Sequence, residues 1–380
     1  MLSWKDFRRM TGREIATQIG VFLLVVLIVV GAYFSARANL VEMGLTSGFN
    51  FLNRDTGWGY SFSLIERSID DTYRRTLLIG FMNTLFVGFI SIFFATILGF
   101  LIGTARDSLN LGLNVAASIY IQIFRNIPLI LQVIFLYAIL INAPPSPKQA
   151  ISYGDVIFLS NRGMNVPVLN LPLEYASIAF GLSLALGALV VWRAVPFLRA
   201  LAIWLLGTVA IFAVAIVLFT PEGLPAVSVP YLKGLKFREG VTLTPELLAM
   251  LIGIVLYSAA YIGEVVRGGL DEVPKGLTEA GKALGLGRFA IWWTIKIPMA
   301  LRAIIPPLGN QWIFTMKATT VGVAIGFSDL FYIVSTSITQ SGQTLELIAI
   351  LAGGFLLVNF SMAQGVNWLN RRLALKGYGS

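Results

Sequence analysis

The stretch with the most obvious capacity for chemistry runs from Gly276 to Ala283 and reads G-L-T-E-A-G-K-A. It stops one residue short of a phosphate-cradling loop. Such a loop needs Ser or Thr after its Lys to reach Mg²⁺, and it follows a buried strand. Ala283 stands where that hydroxyl belongs, and a long apolar run precedes the segment. Nucleotide binding by this chain is therefore not expected; if ATP drives the system, a separate subunit binds it. The chain has no Cys and no His, which excludes thiolate chemistry, disulfides, imidazole bases and the usual zinc sites. No nucleophile–base pair stands out among the remaining residues, so an enzyme is not expected.

Charged residues inside apolar runs are the next candidates, because charge is costly in a bilayer. Arg125 precedes Pro128, which interrupts helix hydrogen bonding and frees carbonyls nearby. In one reading Arg125, Asn126 and Gln132 line the path of a zwitterion; in the other, Arg125 snorkels to the inner interface or braces the proline bend. Lys317 either faces a central path with Thr319 and Thr320, or reaches a carboxylate or carbonyl of a partner. Gln311, with Asn310, extends that polar stripe by about two turns. Glu264 and Arg267, spaced i and i+3, are expected to form a structural ion pair. An importer driven by an ion gradient should carry buried carboxylates on its helices, and only Glu346 lies within an apolar run.

These residues need a membrane scaffold. Of 380 residues, 57% are hydrophobic and 12% charged, about half the charge of an ordinary soluble domain. Eight apolar segments read as helices, at 19–34, 77–104, 115–141, 176–191, 200–219, 247–263, 304–326 and 343–360, since lipid leaves the backbone no other way to satisfy its polar groups. With the N-terminus inside, the inward segments carry 16 of the 28 basic residues and 7 acidic ones, whereas the outer loops carry 10 and 11. The net charge of +9 thus sits on the cytoplasmic face, and a nucleic-acid surface is the poorer account of it. Lys5, Arg8, Arg9 and Arg13, an apolar run and Ala36-Arg37-Ala38 have the look of a cleavable signal; processing leaves the later topology unchanged. The outer segments 35–76 and 142–175 are too long for turns and serve either as a docking rim or as irregular cover. Gly99/Gly103 and Gly322/Gly326 have the spacing of close helix approach.

The longest inward loop, 264–303, reads as a short amphipathic helix from Thr278 to Leu284. Pro274 and Gly276 open it, Thr278 caps it, and Gly285 and Gly287 stop it. A second amphipathic stretch with Phe289, Trp292 and Trp293 ends at Pro298. Ala280 and Gly281 leave a surface for close approach by another protein. Permease subunits of ATP-binding-cassette importers share an inward loop written E-A-A-x3-G-x9-I-x-L-P. This loop resembles it at every spacing, through Glu279, Ala280, Gly281, Gly285, Ile295 and Pro298. Gly281 replaces Ala and Ile297 replaces Leu. The segments Tyr257–Arg267, Thr46–Asp55, Phe124–Pro128, Val323–Gly326 and Ser337–Gln343 look like the polar amino-acid branch, and more narrowly like the first of the two permeases of the general L-amino-acid type.

The resemblance implies an all-α integral membrane protein of the type I importer permease fold, with about eight transmembrane helices and both termini cytoplasmic. Residues 1–76 supply a first helix and periplasmic loop; residues 77–380 form the transmembrane domain with its coupling loop. The function it implies is passage of L-amino acids across a bacterial inner membrane by alternating access. The implied partners are a second homologous permease, an ATP-binding subunit dimer that holds ATP and Mg²⁺, a periplasmic amino-acid-binding protein and the lipid bilayer. Ala318, where relatives often carry a polar residue after the Lys, weakens a substrate role for that position.

Overall fold

The computed structural model describes residues 12–42, 48–193, 197–234 and 236–373. Lys5, Arg8, Arg9, Thr46 and residues 194–196 lie outside the described residues. The helices are α1 (Gly12–Glu42), α2 (Tyr73–Arg106), α3 (Leu111–Asn126), α4 (Leu129–Asn142), α5 (Leu173–Trp192), α6 (Phe197–Phe219), α7 (Pro245–Asp271), α8 (Lys275–Ala283), α9 (Arg288–Ile291), α10 (Ile297–Lys317), α11 (Leu330–Ser341) and α12 (Thr344–Leu373). A helix underlies each of the eight apolar segments. Six described helical stretches are long and apolar enough to cross a bilayer, the bent pair α3–α4 brings the number to seven, and the apolar part of α5, Glu174–Val190, is shorter. The helical class stands, and among the described residues eight short strands are added to it.

The described residues divide into two compact units, 12–85 with 328–369 and 86–327 with 370–373. In the first, Phe51, Tyr60, Leu77, Ile79, Ile333 and Leu347 form a buried core. Residues 54–72 fold back on themselves through Thr56 N–H to Asp71 O (2.9 Å) and Gly57 N–H to Ile69 O (3.0 Å). Asn83, fully buried, ties this segment down: its amide donates to Phe62 O (3.1 Å) and Ser328 O (2.8 Å), and its Oδ1 accepts from Leu64 N–H (3.1 Å). One buried amide thus satisfies backbone groups of two irregular stretches that have no ladder of their own.

In the second unit α7 is the central helix. Thr244 caps it, accepting from Leu247 N–H (3.4 Å), and Pro245 occupies its first turn, where a missing N–H costs nothing. Gly99 and Gly103 of α2 meet α7 almost backbone to backbone. A Cβ on Gly99 would lie 2.5 Å from Ile262, and one on Gly103 would lie 2.6 Å from Gly263 O. The other spaced pair has a different use: Gly322 packs on Met250 and Phe327, and Gly326, at φ +73°, ends a 3-10 segment (Ala318–Ile325).

The apolar run 115–141 is two helices bent by 100° at Ile127-Pro128. Gln132 stabilises the break. It is buried, and its Nε2 donates to Phe124 O (2.9 Å) and Ile127 O (2.8 Å), carbonyls released by the proline. Between α4 and α7 the chain folds into small antiparallel sheets, β1-β2-β3-β8 (Ile151–Tyr153, Ile157–Ser160, Gly163–Val166, Val241–Leu243), β4-β5 (Val168–Leu169, Val227–Ser228) and β6-β7 (Tyr231–Lys233, Lys236–Arg238). The hairpin of α5 and α6 is inserted between β4 and β5, its helices joined by Ser183 Oγ to Thr208 Oγ1 (2.7 Å) and Trp204 Nε1 to Ser183 O (3.0 Å).

Gly103→Val is expected to destabilise the purified protein by about 2 kcal/mol or more, because a backbone carbonyl cannot yield to the new side chain. Gly353→Ala on α12, where a Cβ meets nothing, should be neutral or stabilising by up to about 1 kcal/mol. Thermal unfolding in detergent checks both; equal midpoints for the two variants would refute the close packing of α2 on α7.

Candidate coupling loop and transport path

The loop after α7 is built by glycine geometry. Helix α8 begins at Lys275, three residues before the expected start, with Pro274 at its N-cap position. Thr278 does not cap it. Its Oγ1 donates to Lys275 O at 2.7 Å within the first turn. The stop at Gly285 is as expected: this residue adopts φ +76°, its N–H donates to Lys282 O (2.9 Å), and Leu286 N–H donates to Gly281 O (3.0 Å). That pair of bonds is the Schellman closure, which favours glycine at this one position. Gly287 then starts α9 instead of ending α8.

Gly281 faces inward, not toward a partner. It is buried, and a Cβ there would lie 3.0 Å from Ile295 Cδ1 and 3.1 Å from Ile291 Cγ1. Flexible side-chain tips can move by that much, so Ala at this position is compatible with the same packing. The contact explains the distance in sequence between the glycine and Ile295: α8 folds back on the following helix. Glu279 and Ala280 are exposed. So are Leu284 (81%) and Phe289 (78%), which leaves an apolar surface largely uncovered. Phe289 stacks on Trp293 at 6.3 Å. Pro298 is the second residue of α10, preceded by a π turn (Trp292–Lys296) that accommodates its missing N–H.

Ion pairs join this loop to the helices. Lys296 pairs with Asp107, just beyond α2. Glu264 of α7 takes Arg106 of α2, Arg267 at 3.0 Å and Arg125 of α3 at 3.6 Å. Arg267 also holds Asp271 at 2.6 Å. The expected Glu264–Arg267 pair is therefore one arm of a larger cluster, since sequence spacing reveals only partners on the same helix.

Arg125 has a second contact, its guanidinium lying 4.9 Å from the centre of the Tyr261 ring. Tyr257 and Tyr261 share a hydroxyl hydrogen bond of 3.2 Å, and both approach Phe314, at 6.3 and 6.5 Å. Lys317, exposed, lies one turn beyond Phe314 on α10. A strip thus runs from one cation to the other across three aromatic rings. The tyrosines and Phe314 are not among the sequence candidates, although the i, i+4 spacing of the tyrosines was there to be read. Asn126 is exposed beside Arg125. Gln132 instead braces the proline break. Gln311 is partly buried with no partner for its Nε2. Thr319 is fully buried and bonds Met316 O (3.0 Å), and Thr320 bonds Lys317 O (2.9 Å). The candidates thus separate into an exposed cationic–aromatic strip and a set engaged in local structure.

The family model described as binding-protein-dependent transport system inner membrane component matches residues 177–375. A putative amino-acid ABC transporter permease protein of Escherichia coli, YhdX, is 37% identical, over 97% of this chain and 96% of its own length. The general L-amino acid transport system permease protein AapQ of Rhizobium johnstonii is 33% identical over 96% of this chain and 92% of its own. The glutamate/glutamine/aspartate/asparagine transport system permease protein BztB of Rhodobacter capsulatus is 29% identical over 96% and 94%.

Glu264→Ala leaves three arginines without their shared carboxylate. The partly exposed site lowers the cost, so a loss of about 1–2 kcal/mol is expected. High salt should narrow the gap between wild type and variant in thermal unfolding, because it weakens the wild-type pairs and screens the repulsion left in the variant. A salt-independent gap would contradict the electrostatic account.

Proposed function

The chain belongs to the family of binding-protein-dependent transport system inner membrane components, and from that premise we propose that it is one of two unlike permease subunits of an ATP-driven L-amino-acid importer. The near full-length similarity to amino-acid ABC transporter permeases supports the substrate class. The observation that carries the mechanical part is α8, with its Schellman closure at Gly285 and the uncovered apolar surface of Leu284 and Phe289. A soluble face of this kind needs a cover. We assign that cover to an ATP-binding subunit, which holds ATP and Mg²⁺ and performs the hydrolysis. The chain itself performs no covalent step. Thr278, Glu279, Ala280, Gly281, Gly285, Ile295 and Pro298 form the coupling segment, in two roles. Glu279 and Ala280 present the surface, whereas Gly281, Gly285, Ile295 and Pro298 shape it.

In the proposed cycle a periplasmic binding protein delivers the amino acid, and closure of the ATPase pair displaces α8. Lys296–Asp107 carries the displacement to the end of α2, and α8 is joined to α7 through Glu272–Pro274. Opening of the path then exposes the strip of Arg125, Tyr261, Tyr257, Phe314 and Lys317. Its two cations suit a substrate carboxylate, and its ring faces suit an ammonium group or an apolar side chain. Asn126 and Gln311 contribute polar contacts beside it. Gln132, Thr319 and Thr320 support the path through local structure. Exposed cations on spanning helices are poorly placed against hydrocarbon, which supports putting this strip on the water-filled or subunit-facing side. The multi-pass chain then resides in a bacterial inner membrane.

Gly285→Leu is expected to abolish both co-purification of the ATPase and amino-acid uptake in vesicles, since the left-handed backbone resists a side chain. Leu284→Asp avoids the folding question, because that side chain is already exposed. It should reduce ATPase co-purification at least about tenfold, the equivalent of roughly 1.4 kcal/mol, while the permease stays folded. Wild-type ATPase recovery and uptake with Leu284→Asp would exclude the coupling assignment.

A further inference from the structure

A cleft of about 560 Å³ lies between α1 and the start of α12, within the range of roughly 300–1,000 Å³ typical of small-molecule sites. Its walls grade from apolar to charged. Val29, Ala32 and Ala349 line one part, Tyr33 stands between, and Arg37 and Glu346 mark the other. On α1 the eight steps from Val29 to Arg37 span about 12 Å along the helix axis. The charged end faces the same side as Gly48, which lies within the outer segment under the positive-inside orientation. The cleft therefore runs from headgroup level into hydrocarbon.

Glu346 is held without being satisfied. Its Oε1 accepts Gly48 N–H at 2.6 Å. Its Oε2 is buried and has no hydrogen-bond partner. Among the described residues no ion pair joins it to Arg37 or to any other cation. An unmet carboxylate oxygen is expensive, and this one lines a cleft that lipid can reach, since the apolar stretch of α1 is wholly uncovered.

We propose that this cleft binds a phospholipid whose headgroup carries an N–H cation, of the phosphatidylethanolamine class. The ammonium donates to Oε2 of Glu346, the phosphodiester pairs with Arg37, and an acyl chain lies along Val29, Ala32 and Ala349. Tyr33 occupies the interfacial level where tyrosine is favoured. A choline headgroup has no N–H to offer the carboxylate, and a glycerol headgroup has no cation. The selectivity therefore rests on one hydrogen bond to a charged acceptor. The site is independent of the coupling loop and of the substrate strip.

The test uses the full-length chain purified with its co-expressed subunits and exchanged into nanodiscs holding equal parts of ethanolamine and choline lipids over an anionic background. Lipids retained on release are read by native mass spectrometry. The wild type should retain the ethanolamine lipid about tenfold over the choline lipid, the scale of a charge-assisted hydrogen bond. Glu346→Gln keeps an acceptor for Gly48 N–H and should bring the ratio near one. Ala349→Trp fills the apolar end without touching Glu346 and should lower retention of both lipids. Equal retention by the wild type, an undiminished preference in Glu346→Gln, or unchanged retention in Ala349→Trp would overturn the proposal.

Discussion

Glu264 draws arginines from three helices to one point in the C-terminal part of α7. Charges at such a place are tolerated only when paired or wet, so the ends of α2, α3 and α7 are constrained together. The rest of the second unit follows from that constraint and from the glycines above it. Gly99 and Gly103 let α2 lie against α7 at backbone distance, which places Asp107 where Lys296 reaches it. The segment after α7 is thus tied by charge to α2 and by covalent continuity to α7. On the proposed reading, movement of α8 has both routes into the helices.

The same unit separates rigid parts from adaptable ones by simple chemistry. The Pro128 break is stabilised by a buried amide that replaces the lost backbone bonds, so the 100° bend is a fixed feature. The strip from Arg125 to Lys317 is different in kind. Its members are exposed or partly exposed, and aromatic faces tolerate several ligand types. On the proposed reading, that suits a path shared by several related substrates.

Much of this was legible in the sequence for physical reasons. Apolar length marks a spanning segment because lipid permits few alternatives, and a helix lies under each of the eight runs. Gly285 was legible because left-handed closure strongly favours one residue type. The side facing a partner was not: Gly281 reads as open surface, yet it packs on Ile291 and Ile295, and no local pattern states which way a short helix turns. The start of α8 shifted to Lys275 because Pro274 sets the N-terminus more strongly than the Thr278 hydroxyl. The sharp bend at Pro128 was half legible, since proline announces a break and not an angle. The small β-sheets between α4 and α7 were missed altogether. Their strands are two to four residues long, and pairings such as Met164 with Leu243 join segments separated by a membrane hairpin.

The chain contains no cysteine, so an introduced thiol is the single labelling site on this chain. The most direct measurement places that thiol at position 284, as Leu284→Cys, and attaches a short photoreactive probe in the assembled complex in membranes. The account predicts an adduct with the ATP-binding subunit whose yield changes when nucleotide is added. Labelling of lipid or of the permease alone, with no adduct to the ATPase in either nucleotide state, would contradict it.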